Sequence, residues 1–229
     1  MARATRMQAL RTILTTGVVP LFHHDDPQVA SRALRAVAEG GGQVLEFTNR
    51  GDGAHETFAH LCRYVREELP GFVLGVGSIR DAATAALYLN LGADFVVGPV
   101  LDEEVAAVCN RRKVAYLPGC GTASEVARAE QLGCEIVKVF PGDAAGGPDF
   151  VKAVLGPSPW SHLMPTGGVD ITEESLRGWF DAGVAAVGIG SKLIGKELLA
   201  EADWSTLTER VRAVHEIVAR LNQRVRGSI

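Results

Sequence analysis

Short apolar runs rich in Val, Ile and Leu alternate along this chain with longer amphipathic stretches. Runs at 17–22, 43–48, 72–76, 95–98, 114–117, 135–140, 162–165 and 186–189 have the length of strands. Most are apolar on both faces, the mark of buried parallel strands. The segments at 27–39, 56–68, 82–91, 103–112, 123–132, 149–155, 173–181 and 204–222 read as helices, and a short helix over 7–16 precedes the first strand. Local punctuation agrees with this division. Asp25 or Asp26, Asp81, Asp102, Thr122 and Thr172 stand where N-caps belong, and Gly92, Gly133 and Gly183 stand where helices end. Eight strands and eight following helices, with no break in composition, predict an α/β fold, a TIM (β/α)8 barrel with a short N-terminal helix, as one domain over 1–229. An open doubly wound sheet would carry a glycine-rich dinucleotide fingerprint at its first turn, and that turn has none.

Charge narrows the class of partner. The 229 residues carry a net charge of −4 with acids and bases interspersed, so there is no electrostatic footprint for nucleic acid. No stretch approaches the ~20 apolar residues of a membrane span, and residues 1–11 lack the apolar core of a signal peptide. Cys62, Cys109, Cys120 and Cys134 form no CxxC pair and read as reduced thiols of a cytoplasmic protein. A small-molecule substrate is the partner left.

The polar residues inside apolar strands carry the chemistry. In 135–140, Ile136, Lys138 and Phe140 share one face and Val137 and Val139 the other. Burial disfavours an ammonium, and a neutral lysine amine can attack a carbonyl. The other reading is a strand-end lysine that reaches solvent or a structural carboxylate. In 43–48, Val44, Glu46 and Thr48 share a face with Arg50, while Leu45 and Phe47 face the helices. Glu46 therefore points inward, where it needs a function or an ion pair with Arg50 or Lys138. Barrel chemistry sits at strand C-termini, and phosphate commonly binds the loops after the seventh and eighth strands. Gly167, Gly168, Gly190 and Ser191 occupy those loops.

These pieces resemble the family of KDPG/KHG aldolases, which cleave 2-keto-3-deoxy-6-phosphogluconate or 4-hydroxy-2-oxoglutarate. The resemblance rests on Leu45-Glu46-Phe47-Thr48 with Arg50, Gly75-Val76-Gly77-Ser78, Leu117-Pro118-Gly119, Val137-Lys138-Val139-Phe140-Pro141, Pro165-Thr166-Gly167-Gly168 and Gly188-Ile189-Gly190-Ser191, in the family's order. It implies a class I, Schiff-base carbon–carbon lyase that releases pyruvate and an aldehyde, glyceraldehyde 3-phosphate or glyoxylate. It also implies a cytoplasmic homotrimer, a place in the Entner-Doudoroff pathway, and no metal or cofactor. Lys138 would form the Schiff base and Glu46 would be the general acid/base. Arg50, Ser78, Pro99, Phe140 and Thr166 would bind substrate, and Gly167, Gly168, Gly190 and Ser191 its phosphate. Ser78 stands where the family usually has threonine, Gly98-Pro99-Val100 where it has serine-proline-glycine, and Cys120 where it has valine. The segment 49–55 also departs from the family, which bears on substrate choice.

Two other functions compete. A phosphosugar isomerase or epimerase would use Glu46 for proton transfer but leave Lys138 without a role. A non-catalytic phosphometabolite-binding barrel would leave the Lys138, Glu46 and Arg50 set unexplained. Elsewhere, His23-His24-Asp25-Asp26 reads as rim contacts and a helix cap rather than a metal site, and Cys120 as a small filler. Trp160 reads as packing in a subunit contact or under a loop. Lys152, Lys192 and Lys196 lie outside apolar strands and read as solvated charges.

Overall fold

A computed structural model describes residues 2–226. Strands β1 (Val18–Phe22), β2 (Val44–Thr48), β3 (Val73–Gly77), β4 (Phe95–Val97), β5 (Ala115–Leu117) and β9 (Val187–Ile189) form a curled parallel sheet in the order β5-β4-β3-β2-β1-β9. Strands β6 (Gly119–Cys120), β7 (Val137–Val139) and β8 (Leu163–Pro165) form a second parallel sheet, β6-β7-β8. An isolated parallel bridge between Thr166 and Gly188 links β8 to β9.

Helices connect successive strands: α2 (Pro27–Glu39), α3 (Ala54–Glu68), α4 (Ala82–Leu91), α5 (Glu103–Arg112), α6 (Ala123–Gln131), α7 (Gly147–Leu155) and α8 (Glu173–Asp181). Asp26, Asp81, Asp102, Thr122 and Thr172 accept hydrogen bonds from the first-turn amides of their helices, as the sequence predicts. Gly92, Gly133 and Gly183 all take positive φ at the helix ends.

Alternation along the strands separates two layers of core. Val44, Val73, Phe95, Ala115, Ile136, Met164 and Ala186 turn inward and cluster together, while Leu45, Phe47, Leu74, Val76, Val137 and Val139 pack against the helices. Helix α1 (Arg6–Thr16) adds Ala9, Leu10 and Ile13 to the inner cluster, so it fills the end where the strands begin. The segment ahead of α1 is tied down by buried Asp94. Its Oδ1 accepts from the backbone of Arg3 and Ala4 at 2.7 and 2.9 Å, and its Oδ2 accepts from the Arg3 guanidinium at 2.8 Å.

Three features depart from the sequence reading. The fifth strand is broken at Pro118, which has no N–H to give a ladder, so β5 pairs with β4 while β6 pairs with β7. A short helix, α9 (Lys196–Ala200), follows the last strand, and the final helix α10 runs over Trp204–Arg226. Of the two readings of Trp160, its 68% exposure sets aside packing under a loop and is compatible with a subunit contact. Among the described residues, no helix is long and apolar enough to cross a membrane.

Candidate active site

Glu46, Lys138 and Thr166 meet at the C-terminal ends of their strands because each is the inward residue one step beyond the apolar plug. Lys138 is register-paired with Gly119 on β6 and Met164 on β8, and Glu46 with Leu21 on β1 and Gly75 on β3. Lys138 is 5% exposed and Glu46 1%. The Lys138 ammonium lies 4.9 Å from the centroid of the Phe140 ring. Neither side chain forms an ion pair among the described residues, so the salt bridge weighed for Glu46 is absent. The Oε2 of Glu46 and the Oγ1 of Thr166 are buried with no hydrogen-bond partner. Both residues line one cavity, where a bound molecule could partner these atoms.

That cavity, about 440 Å³, is also lined by Arg50, Ser78, Pro99 and Phe140. Every substrate-binding residue expected from the sequence is therefore brought to it. Burial pushes the Glu46 carboxyl above the ordinary carboxylate range, and the positive charges of Lys138 and then Arg50 pull it partly back. A carboxyl that holds its proton more tightly than usual can serve as an acid as well as a base, which a proton shuttle requires.

Two glycines shape this chamber. A Cβ on Gly77 would lie 1.7 Å from Glu46 Oε1, and one on Gly188 would lie 2.3 Å from Thr166 Oγ1. The bare backbone of β3 is thus the floor on which Glu46 rests. Gly77→Ala is expected to keep the fold but push the carboxylate aside, lowering kcat by ~10–100-fold. Steady-state kinetics beside an unchanged circular-dichroism spectrum would check it. Ser78, next in line, takes φ +63°, a conformation rarely held by residues other than glycine and concentrated at functional sites.

A second chamber of about 590 Å³ opens from the first, sharing Leu21, Thr48, Arg50, Phe140 and Thr166. Its wall holds Gly167, Gly168, Gly190 and Ser191 together. Gly167 and Gly168 both take positive φ (87° and 73°), a backbone turn of the kind that gathers N–H groups around an anion. A Cβ at Gly168 would lie 2.4 Å from Asp143 Cβ, so glycine is also required by the neighbouring loop.

The sequence reading missed several residues. Lys192 and Lys196, read as solvated charges, line the second chamber, and Lys192 is 66% exposed. Asn49 and Arg80 line the first, and Asn49 is held there by the Tyr88 hydroxyl, which donates to its Oδ1 at 2.8 Å. Arg80 could have been found, since it lies two residues beyond Ser78 past the end of β3. The Tyr88–Asn49 contact has no sequence signal. His23 also reaches the second chamber, its Nδ1 3.1 Å from the Thr48 carbonyl and its Nε2 3.0 Å from Asp25, while Asp26 caps α2. Cys120 is buried and its thiol is pushed up to about 12 by burial, as expected of a filler.

A sequence model of KDPG and KHG aldolase matches residues 10–210. The chain belongs to the KDPG/KHG aldolase family. Within it, the chain is 34% identical over 182 residues to the 2-dehydro-3-deoxy-phosphogluconate aldolase of Pseudomonas aeruginosa, covering 79% of this chain and 80% of that one. It is 30% identical over 207 residues to the KHG/KDPG aldolase of Escherichia coli, covering 90% and 94%. Among solved structures, the KDPG aldolase of Legionella pneumophila, with pyruvate captured as a covalent carbinolamine, superposes with TM-score 0.82. It is 26% identical and covers 90% of this chain and 97% of that one. Membership agrees with the α/β fold and with a lysine-bearing cavity at the strand C-termini.

Proposed function

We propose that this KDPG/KHG family member is a class I aldolase cleaving a 2-keto-3-deoxy-6-phospho sugar acid, or 4-hydroxy-2-oxoglutarate, to pyruvate and an aldehyde. The observation that carries the reading is the buried Lys138 beside an unpaired, buried Glu46 in one cavity. In this mechanism the Lys138 amine adds to the C2 carbonyl, giving a carbinolamine. Glu46, as acid, protonates the departing hydroxyl, water leaves, and an iminium remains. Glu46, as base, then removes the C4 hydroxyl proton. The C3–C4 bond breaks, the aldehyde departs, and the bonding pair moves into the iminium to give an enamine. Protonation at C3 and hydrolysis release pyruvate and restore Lys138.

In the same reading, Arg50 offers its planar fork to the pyruvyl carboxylate, with Ser78, Pro99, Phe140 and Thr166 around it. Gly167, Gly168, Gly190 and Ser191 receive the phosphate of a phosphorylated substrate. The reading extends to architecture: the two sheets close as one (β/α)8 barrel and one domain. Its support is chain continuity through Pro118 and the bridge from Thr166 to Gly188. A cytoplasmic homotrimer belongs to the proposal, supported by four free, buried thiols and by exposed Trp160 and Val100 as contact candidates. An isomerase leaves Lys138 idle and is not favoured. The deciding experiment is borohydride reduction in excess pyruvate followed by peptide mass mapping. A reduced pyruvyl adduct on Lys138 is expected, and a folded protein with no lysine adduct would overturn the proposal.

A further inference from the structure

The second chamber contains a charge arrangement that the aldolase reading does not use. Lys192 follows Ser191 on the loop after β9, and Asp170 lies two residues beyond Gly168 on the loop after β8. Lys192 Nζ lies 3.2 Å from Asp170 Oδ2, so an ion pair joins the two glycine loops across the chamber wall. Asp170 is the fixed partner: its Oδ1 accepts from the Ile171 amide at 2.7 Å, and its own N–H donates to Ser175 Oγ at 3.0 Å. Lys192 is 66% exposed and Asp170 37%. A pair that wet holds together weakly enough for a ligand of higher charge to draw its lysine away. Asp170 is the one carboxylate among the residues lining the chamber, and Lys192 and Lys196 are the two lysines.

We propose that the Asp170–Lys192 pair sets substrate choice, selecting a dianionic phosphate tail over a singly charged carboxylate tail. This rests on the aldolase reading above. Coulomb attraction scales with the charge of the ligand. A dianion competes with Asp170 for Lys192, and a single carboxylate does not displace an equal carboxylate already in place. Asp170 thus acts as a built-in competitor that only the stronger anion overcomes.

The test is the KM of the full-length protein for 2-keto-3-deoxy-6-phosphogluconate and for 4-hydroxy-2-oxoglutarate at low ionic strength. Lys192→Met is expected to raise KM for the phosphorylated substrate by ~5-fold, a size set by an exposed charge pair, with the effect on KM rather than kcat. Asp170→Asn is expected to change KM in the opposite direction, and on the other substrate. It should lower KM for the carboxylate-tailed substrate and so narrow the preference, and Lys192→Arg should restore the preference. An unchanged preference in Lys192→Met, a KM for the carboxylate-tailed substrate that does not fall in Asp170→Asn, or no rescue by arginine would each overturn the proposal. If the wild type forms no pyruvate adduct, it is the aldolase reading that falls. The pair is then read by phosphorus-31 titration with inorganic phosphate: weaker binding in Lys192→Met supports its anion role, and equal binding ends it.

Discussion

Lys138→Met is expected to lower aldol turnover by at least ~10⁴-fold, because it removes the amine that becomes the electron sink for the developing carbanion. Methionine is a near match in length and keeps the stem that lies beside Phe140, so the cavity should hold its shape. The variant should also lose the borohydride-trapped pyruvate adduct. Its stability should rise at the same time. A lysine 5% exposed, with no carboxylate in ion-pair range among the described residues, opposes folding, and an apolar replacement relieves this by ~1–2 kcal/mol. For a chain of this size that corresponds to a Tm higher by roughly 2–8 °C. Coupled kinetic and thermal assays on one preparation would decide. Retained turnover would mean that Lys138 is not the nucleophile, and a lower Tm would mean that its charge is compensated in the native state.

Glu46→Gln should separate chemistry from stability in the same way. Without a group able to gain and lose a proton, kcat is expected to fall by ~10²–10³-fold. The linkage sign follows from the burial that raises the folded-state pKa. Folded protein holds the Glu46 proton more tightly than unfolded protein does. The stabilising contribution is therefore fully present below the ordinary carboxyl value of 4.5 and is lost as pH rises through the raised one. Glutamine does not ionise, so the stability difference between Glu46→Gln and wild type should grow in the variant's favour as pH rises above 4.5, levelling off once the raised value is passed. Urea unfolding midpoints of both proteins across that range would test this, since other titrating groups cancel in the difference. A gap that narrows with rising pH would mean that the carboxylate is stabilised when charged.

Much of the candidate site is legible in the sequence because it depends on neighbours in the chain. Alternation places Lys138 with Ile136 and Glu46 with Val44, and the same alternation places Val137, Val139, Leu45 and Phe47 against the helices. Helix caps are equally local, which is why Asp81, Asp102, Thr122 and Thr172 can be read directly. Lys192 escapes for the opposite reason. Its own surroundings in sequence are those of a solvated charge, and its ion-pair partner is a carboxylate 22 residues away on another loop.

What the sequence alone determined is the order of strands and helices, the inward face of each strand, and which few polar residues lie on those faces. These follow from period-two alternation, capping and apolar content, all short-range properties. Only the tertiary structure decided where the sheet breaks at Pro118, that Glu46 rests over the bare backbone of Gly77, that Ser78 takes a left-handed conformation, and that α1 fills one end of the inner core. Each depends on how residues far apart in the chain share space, and steric exclusion and charge pairing across such distances leave no periodic trace in the sequence.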